Sequence, residues 1–266
     1  MRNARWILLA AVAAGCASTT NPQSRQELHA GYQALGEQNY DGAMNHAEAF
    51  LRDHPNGGPG TAEALYLQGR VYEQRATVDD SSGRAREAQQ DLQYGRETYE
   101  HALTLPASVN VQALIHAGVA NCAYFQDDYA AAMDEWAKAY DGITQPDARA
   151  WMLYRIGLCQ QRLGRFEQAD HSFALCRQQF PGSVPAQRAV SHQGARAFYV
   201  QVGAFAERAN ADKIVASLRS QGYRAERKGE ASGRQAVRVG PAYNYADAKT
   251  LQSRLLSAYP GALIEP

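Results

Sequence analysis

The chain has 266 residues, enough for two modest domains, and its 27 Lys/Arg balance its 27 Asp/Glu. The balance is uneven: residues 195–266 carry 11 basic and 6 acidic residues, whereas residues 17–194 carry 14 and 21, so we expect different partners for the two regions. No GxSxG, HExxH, P-loop, GxGxxG or CxxC pattern is present, and the histidines lack metal-ligand spacing; we therefore predict no catalytic residue, no metal and no cofactor.

The first sixteen residues are typical of an export signal. Arg2 and Arg5 precede an apolar run over residues 6–14, which is too short to span a bilayer. The run ends in Ala13-Ala14-Gly15-Cys16, which resembles the bacterial lipobox, with Ala13 where leucine is usual. The resemblance implies a signal peptide over residues 1–16 and lipidation of Cys16. The alternative is ordinary cleavage after Ala13 or Ala17, which would give a soluble periplasmic protein.

Lipid chains on Cys16 would anchor the protein to a membrane, since stable anchoring takes more than one chain. Ala17, rather than aspartate, follows the cysteine, and by resemblance to known sorting patterns this favours the outer membrane, with the protein facing the periplasm. Residues 17–24 are small and polar, and we expect them to form a short tether.

One residue spacing recurs through residues 25–182: a small residue, an aromatic nine positions later, and alanine three positions after that. It occurs as Gly31-Tyr40-Ala43, as Ala120-Tyr129-Ala132 and as Gly157-Phe166-Ala169, with a partial copy from Gly69 that is interrupted near residues 77–88. The small residues let two helices approach closely, and the aromatics fill the space between helical hairpins. The pattern resembles the tetratricopeptide repeat, a pair of antiparallel helices of about 34 residues. We expect four such repeats in a solenoid; a generic helical bundle is the alternative.

The first helices of such repeats line the inner face of a solenoid. Projection of the pattern places the following residues near that face: Tyr66, Arg70, Glu73, Asn121, Tyr124, Trp151, Tyr154 and Arg162. Aromatic and arginine side chains are typical of binding hot spots, and the same side chains also serve to pack a neighbouring helix. We predict an unidentified protein partner at the aromatic and arginine members of this set.

Three cysteines follow Cys16 in the chain: Cys122, Cys159 and Cys176. Cys159 and Cys176 fall on the two helices of one predicted hairpin, so a disulfide between them is sterically feasible. The alternative is that all three are buried as small apolar residues.

Residues 183–196 are polar, and their composition is compatible with either a linker or a capping helix. From Phe198 the hydrophobic pattern alternates, which predicts a strand. Alternation puts Phe198, Val200, Val202 and Ala204 on one face and Tyr199, Gln201, Gly203 and Phe205 on the other. The second set is unusual for a solvated face, because it combines two aromatics, an amide and a glycine.

The remaining elements complete a βαββαβ order. We predict a helix over residues 210–222, strands over 223–227 and 235–240, a helix over 245–259 and a last strand over 262–264. Two helices would then cover one face of a sheet in a small domain over residues 197–266. The predicted fold class is an all-α helical-hairpin solenoid followed by this small α+β domain.

The carboxy-terminal region has a characteristic series of residues: Tyr199-Val200-Gln201-Val202-Gly203-Ala204-Phe205, Asn210-Ala211, Leu218, Gly222-Tyr223 and Val237-Arg238-Val239-Gly240-Pro241. This series resembles a SPOR domain, with Ala204 where the family has serine. It implies binding of peptidoglycan, in particular glycan strands without stem peptides, on the exposed face of the sheet. By position Gln201 and Arg238 match binding residues of the family. Tyr199, Phe205 and Tyr223 are the expected aromatic contacts, and Gly203 leaves room for the polymer.

The chemistry of these side chains agrees with that implication. Gln201 can donate and accept hydrogen bonds, and Arg238 suits a carboxylate. RNA-binding domains share the βαββαβ plan, but their RNP1 signature is absent here, and we predict no nucleic-acid partner.

The repeats occupy the rest of the chain and leave no room for a hydrolase domain, so we do not expect an enzyme. We predict a non-catalytic envelope adaptor that acts in cell division or envelope maintenance. The alternatives are an accessory regulator of a peptidoglycan-processing enzyme and a structural scaffold in an outer-membrane assembly.

Overall fold

The computed structural model describes residues 22–266, so the predicted signal peptide and Cys16 lie outside the described residues. The chain divides into two compact units, with the boundary between Met152 and Leu153. In residues 22–266 no helix has the length and apolar character needed to cross a membrane.

The first unit consists of helical hairpins. Its helices are α1 (Pro22–Gly36), α2 (Tyr40–Asp53), α3 (Thr61–Ser81), α4 (Ala85–Leu103), α5 (Val109–Phe125), α6 (Tyr129–Gly142) and the start of α7 (Pro146–Arg162). Short turns join α1 to α2, α3 to α4 and α5 to α6, and the helices of each pair pack together. The repeats predicted from residue spacing are therefore present as hairpins, and the irregular second one is lengthened at both helices.

Side-chain caps define where several of these helices begin. The Asn39 side chain accepts a hydrogen bond from the Gly42 amide at 3.0 Å, and the Asp128 side chain accepts one from the Ala131 amide at 3.2 Å. Each cap satisfies an amide that has no partner within its helix. The aromatic of the repeat pattern follows directly, as Tyr40 in α2 and Tyr129 in α6.

Glycines around Tyr99 show why small residues recur in the pattern. The ring of Tyr99 is fully buried, and it lies so close to Gly69 of α3 and Gly118 of α5 that neither position has room for a Cβ atom. In the last hairpin Phe173 contacts Gly157 in the same way. The small residues therefore admit an aromatic ring between helices, as the sequence pattern predicts.

A buried polar network centres on Glu73 of α3. The hydroxyl of Tyr99 donates to one of its carboxyl oxygens at 2.9 Å, and the Asn121 amide donates to the other at 2.9 Å. Arg70 lies 3.8 Å from the same carboxyl group and donates to the hydroxyl of Tyr66 at 3.1 Å. Burial, followed by the charge of Glu73, raises the pKa of Tyr99 well above its ordinary value, so its hydroxyl keeps the proton that it donates.

The three described cysteines are free and buried. Burial raises the pKa of Cys159 to about 12 and that of Cys176 to about 11, which keeps both thiols protonated at neutral pH. The structure thus favours the interpretation that the three cysteines are buried small apolar residues over the alternative of a disulfide between Cys159 and Cys176.

The second unit begins with the end of α7 and continues with α8 (Phe166–Gln179) and the short α9 (Val184–Val190). The remaining elements are β1 (Phe198–Phe205), α10 (Arg208–Ser220), β2 (Ala225–Gly229), β3 (Gln235–Ala242), α11 (Tyr245–Leu255) and β4 (Leu263–Glu265). The strands form one antiparallel sheet in the order β2-β3-β1-β4. Helices α10 and α11 pack on one face of the sheet, over a core that includes Val200, Val202, Val215, Leu218 and Leu255.

The predicted βαββαβ order is present, with differences at the ends of elements. The second strand begins at Ala225 instead of residue 223, because Tyr223 closes α10. Its amide donates to the Leu218 carbonyl at 3.0 Å, while Gly222 takes a positive φ of 87° that favours glycine. The third strand continues past Pro241 to Ala242, which pairs with Phe198.

Aromatic contacts join the last hairpin to the sheet within the second unit. Phe198, at the start of β1, lies 5.7 Å from the ring of Phe166 in α8 and 5.6 Å from that of Tyr245 in α11. The Arg162 guanidinium lies 4.4 Å from the ring centroid of Tyr245, a cation–π distance. The turn between α7 and α8 also touches the sheet domain, since a Cβ at Gly164 would meet the Tyr243 carbonyl oxygen at 2.5 Å.

We expect Tyr99→Phe to lower the free energy of unfolding of the first unit by about 1.5–3 kcal/mol, because the Glu73 carboxyl group loses a buried donor. Urea unfolding followed by the fluorescence of Trp136 and Trp151 measures the effect. The matched control is Tyr94→Phe, whose hydroxyl is exposed and which should change stability by less than about 0.5 kcal/mol. Equal effects of the two substitutions would contradict a stabilising role for the network.

We expect Phe198→Ala to destabilise the sheet by about 3–5 kcal/mol, because the ring is buried between Phe166 and Tyr245. Hydrogen exchange of the β1 and β3 amides, measured over a series of urea concentrations, reports the free energy of opening of the sheet at these strands. Tyr243→Ala removes an aromatic ring that is 65 % exposed and serves as the control. The expectation fails if the β1 amides are protected equally in both variants.

Candidate functional site

The candidate site is the face of the sheet opposite helices α10 and α11, here called the open face. Strand register aligns one side chain from each strand in a row across it, in the order Glu226, Arg238, Gln201, Leu263. Tyr199 and its partner Glu265 form a second, shorter row. The neighbouring strand residues Val200, Val239 and Ala225 are buried in the core beneath the helices.

Arg238 is held in place on both sides. Its Nε and Nη2 atoms each lie 2.5 Å from Oε1 of Glu226, and its guanidinium carbon lies 3.9 Å from the ring centroid of Tyr199. A planar guanidinium that is stacked and ion-paired loses little further rotamer freedom when it binds a ligand. The Arg238 side chain is 20 % exposed, so part of its donor group faces solvent.

Gln201 occupies the centre of the row on β1. With its amide nitrogen turned towards Glu265, it donates to the two carboxylate oxygens at 3.3 and 3.1 Å. In that orientation its amide oxygen remains an acceptor. Gln201 therefore lies between a basic neighbour on β3 and an acidic neighbour on β4.

The Tyr199 ring has close neighbours on this face. Arg238 covers one part of it, and a Cβ at Gly240 would approach a carbon of the same ring to 2.8 Å. Gly240 therefore gives the ring the space that it occupies. The ring supports Arg238, and stacking of a sugar on the ring face that the guanidinium covers would require Arg238 to move.

The predicted alternation holds as far as Val202, which faces the core, and is wrong from Gly203 onwards. The register of β1 on β3 shifts between Gln201 and Gly203, so β1 has one additional residue there, as in a β-bulge. Gly203 consequently lies opposite Val237, which is buried in the helix-covered core, and Phe205 packs partly buried against that core. Gly203 and Phe205 therefore do not share the open face with Tyr199 and Gln201.

Tyr223 also lies away from the open face. It stands in the turn that ends α10 and packs, half-buried, against the helix-covered core. The structure therefore places the Tyr223 ring apart from the row that carries Arg238 and Gln201.

Two acidic residues and one apolar residue of the open face were not singled out in the sequence. Glu226, Glu265 and Leu263 lie beside Arg238, Tyr199 and Gln201, and Leu263 is 53 % exposed. Their alternation with Ala225 and Ile264, which contact the core, was the available signal. The pairing of β2 with β3 places Glu226, and the pairing of β1 with β4, which are far apart in sequence, places Leu263 and Glu265.

The predicted partner residues of the repeats differ in their surroundings. Tyr66 and Tyr154 are buried, and Arg70 belongs to the network around Glu73. Tyr124 is half-buried, with its ring 5.5 Å from that of Trp136. Trp151 and Arg162 are likewise partly exposed. A partner that contacts the first three would have to displace packing that the repeats already use.

No group of three or more His, Cys, Asp or Glu side chains with the geometry of a metal site occurs in residues 22–266.

Comparison with protein families matches two parts of the chain. Residues 194–264 match the SPOR domain, and residues 152–183 match a tetratricopeptide repeat. The first match covers the whole sheet with its two helices, and the second covers most of the hairpin formed by α7 and α8. SPOR domains bind peptidoglycan and occur in envelope proteins, and tetratricopeptide repeats mediate protein interactions; neither module is catalytic.

Solved structures are also similar to this chain. The MamA protein is 17 % identical, with 63 % of this chain and 79 % of that chain covered, at a TM-score of 0.47. A tetratricopeptide repeat protein from Parabacteroides merdae is 18 % identical, with 75 % and 67 % covered, at a TM-score of 0.48. The comparison with curated proteins gave no match.

Proposed function

We propose that this protein is a non-catalytic envelope adaptor: its SPOR domain binds the glycan strands of peptidoglycan, and its repeats bind a protein partner. The observation that carries the proposal is the Arg238 guanidinium fixed between Glu226 and Tyr199 on the open face of a domain that matches the SPOR family. A binding surface with a positioned donor group fits such a role.

The open face offers groups that suit a stem-free glycan strand. Such a strand presents hydroxyl groups, acetamido groups and lactyl carboxylates. The outward N–H groups of Arg238 can donate to a carboxylate or carbonyl, and the amide oxygen of Gln201 can accept from a hydroxyl. Because Arg238 is already ordered, little side-chain entropy is lost when a strand binds.

We expect the double variant Gln201→Ala/Arg238→Gln of the full-length protein to bind amidase-stripped sacculi roughly 10- to 100-fold more weakly. The reason is that hydrogen bonds to charged groups contribute about 1.5–3 kcal/mol and every 1.4 kcal/mol is a factor of ten. Co-sedimentation over a range of protein concentrations gives the apparent Kd.

Arg254→Gln is the control for that measurement, since Arg254 is exposed on α11 and so belongs to the opposite side of the sheet. It should leave binding within about twofold, the change expected of a remote, screened charge. Circular dichroism should show all variants folded. Wild-type affinity in the double variant, with the fold intact, would contradict a glycan site on the open face.

The protein partner of the repeats is proposed to contact the partly exposed members of the predicted set, Tyr124, Trp151 and Arg162. Photo-crosslinkers placed at these positions in cells, followed by mass spectrometry, identify the partner.

The position of a fluorescent fusion in cells separates the two proposed roles. Localisation to division sites indicates a role in division, whereas an even distribution around the cell indicates a role in envelope maintenance.

The membrane anchor is proposed on the lipobox resemblance at Cys16, and Ala17 after the cysteine favours the outer membrane, with the protein facing the periplasm. We expect Cys16→Ser to move the protein from the membrane pellet to the soluble fraction, because the acyl chains have no attachment site. Labelling with a palmitate analogue should mark the wild type alone. An unlabelled wild type in the soluble fraction would instead favour the alternative of a soluble periplasmic protein.

A further inference from the structure

The two hydrogen-bonding side chains at the centre of the open face each face a carboxylate. Arg238 contacts Glu226 through two nitrogen atoms at 2.5 Å, and Gln201 faces Glu265 at 3.1 and 3.3 Å. Each acidic residue lies on the strand next to its partner, so the pairing follows from the strand register. Arg238 is therefore electrically compensated before any ligand arrives.

A carboxylate that is held by one donor still has lone pairs for others. The Glu226 side chain is 47 % exposed, and the Glu265 side chain is also partly exposed, so a ligand on the open face meets acceptor oxygens at both ends of the Glu226–Arg238–Gln201–Glu265 series. Sugar hydroxyl and acetamido N–H groups can donate to these oxygens. A ligand carboxylate placed beside them is repelled, and it has to compete with Glu226 for Arg238.

Other charges near this series act with less selectivity. Two exposed basic residues flank Glu226 at a distance of two residues. Arg224 lies just before the edge strand β2, and Lys228 lies within it. Long, exposed basic side chains attract any polyanion over a distance that salt limits. Arg224 and Lys228 therefore raise the affinity for all anionic strands alike. Discrimination between strands depends on the carboxylates of Glu226 and Glu265.

We propose that Glu226 and Glu265 determine the specificity of the open face: they accept hydrogen bonds from glycan hydroxyl and acetamido groups and disfavour strands that carry many carboxylates. Removing a stem exposes one lactyl carboxylate on the sugar, whereas an intact stem masks that group as an amide and carries the carboxylates of its own acidic and terminal residues. A stem-bearing strand therefore has more carboxylates than a stripped one, and the pair selects strands with few or no stems. The inference rests on the proposed glycan binding and assigns to these two residues the discrimination between its ligands.

The test uses the full-length protein and two soluble glycan preparations from the same sacculi, one with stem peptides and one stripped of them. The Kd for each is measured at physiological ionic strength for the wild type, Glu226→Gln, Glu265→Gln and the double variant. We expect each substitution to reduce the preference for stripped strands by roughly threefold, the size of a partly exposed charge interaction, chiefly through tighter binding of the stem-bearing strands. Glutamine keeps the size of the side chain, so the sheet should stay folded.

Glu207→Gln is the matched control, because it makes the same change in net charge at an exposed residue just before α10. The preference of Glu207→Gln for stripped over stem-bearing strands should equal that of the wild type. If the double variant and the control both keep the wild-type preference, the proposed role of Glu226 and Glu265 is overturned while glycan binding stands. If the wild type binds neither preparation, glycan binding itself is overturned, and this inference with it.

Discussion

The guanidinium of Arg238 on the ring of Tyr199, with Glu226 at its edge, is the interaction on which the candidate site depends. It requires three strands in one register, since the three side chains belong to β3, β1 and β2. The register in turn depends on the core under the helices, where Val200 and Val239 are paired and almost fully buried. A shift of one residue would exchange the two faces of a strand and separate the three groups.

The same dependence on close packing appears in the repeats. Tyr99 enters a space that Gly69 and Gly118 leave open, and its hydroxyl reaches the buried Glu73. The ring packs the hairpins together while the hydroxyl satisfies a polar group that would be costly to bury alone. Near the sheet, Phe198 has a comparable position, because it belongs to β1 and also contacts the last hairpin through Phe166.

Local patterns in the sequence were sufficient to predict much of this structure. Spacing of small and aromatic residues predicted the hairpins, and alternation predicted that Val200 and Val202 face the core. Alternation alone did not reveal the bulge at Val202, because a bulge depends on how two strands pair. For that reason Phe205 was predicted on the open face, whereas it packs on the core. Glu226 and Glu265 were missed for a related reason, since strand pairing brings them to the site: β2 pairs with the next strand, β3, and β4 pairs with the distant strand β1.

The proposed function requires a glycan strand to bind on the open face. The most direct measurement is an NMR titration of isotope-labelled full-length protein with stem-free glycan fragments, with assigned backbone amides. We expect the shift changes to cluster at Tyr199, Gln201, Glu226, Arg238 and Leu263. Changes confined to α10, α11 or the repeats, or no changes at saturating glycan, would contradict it.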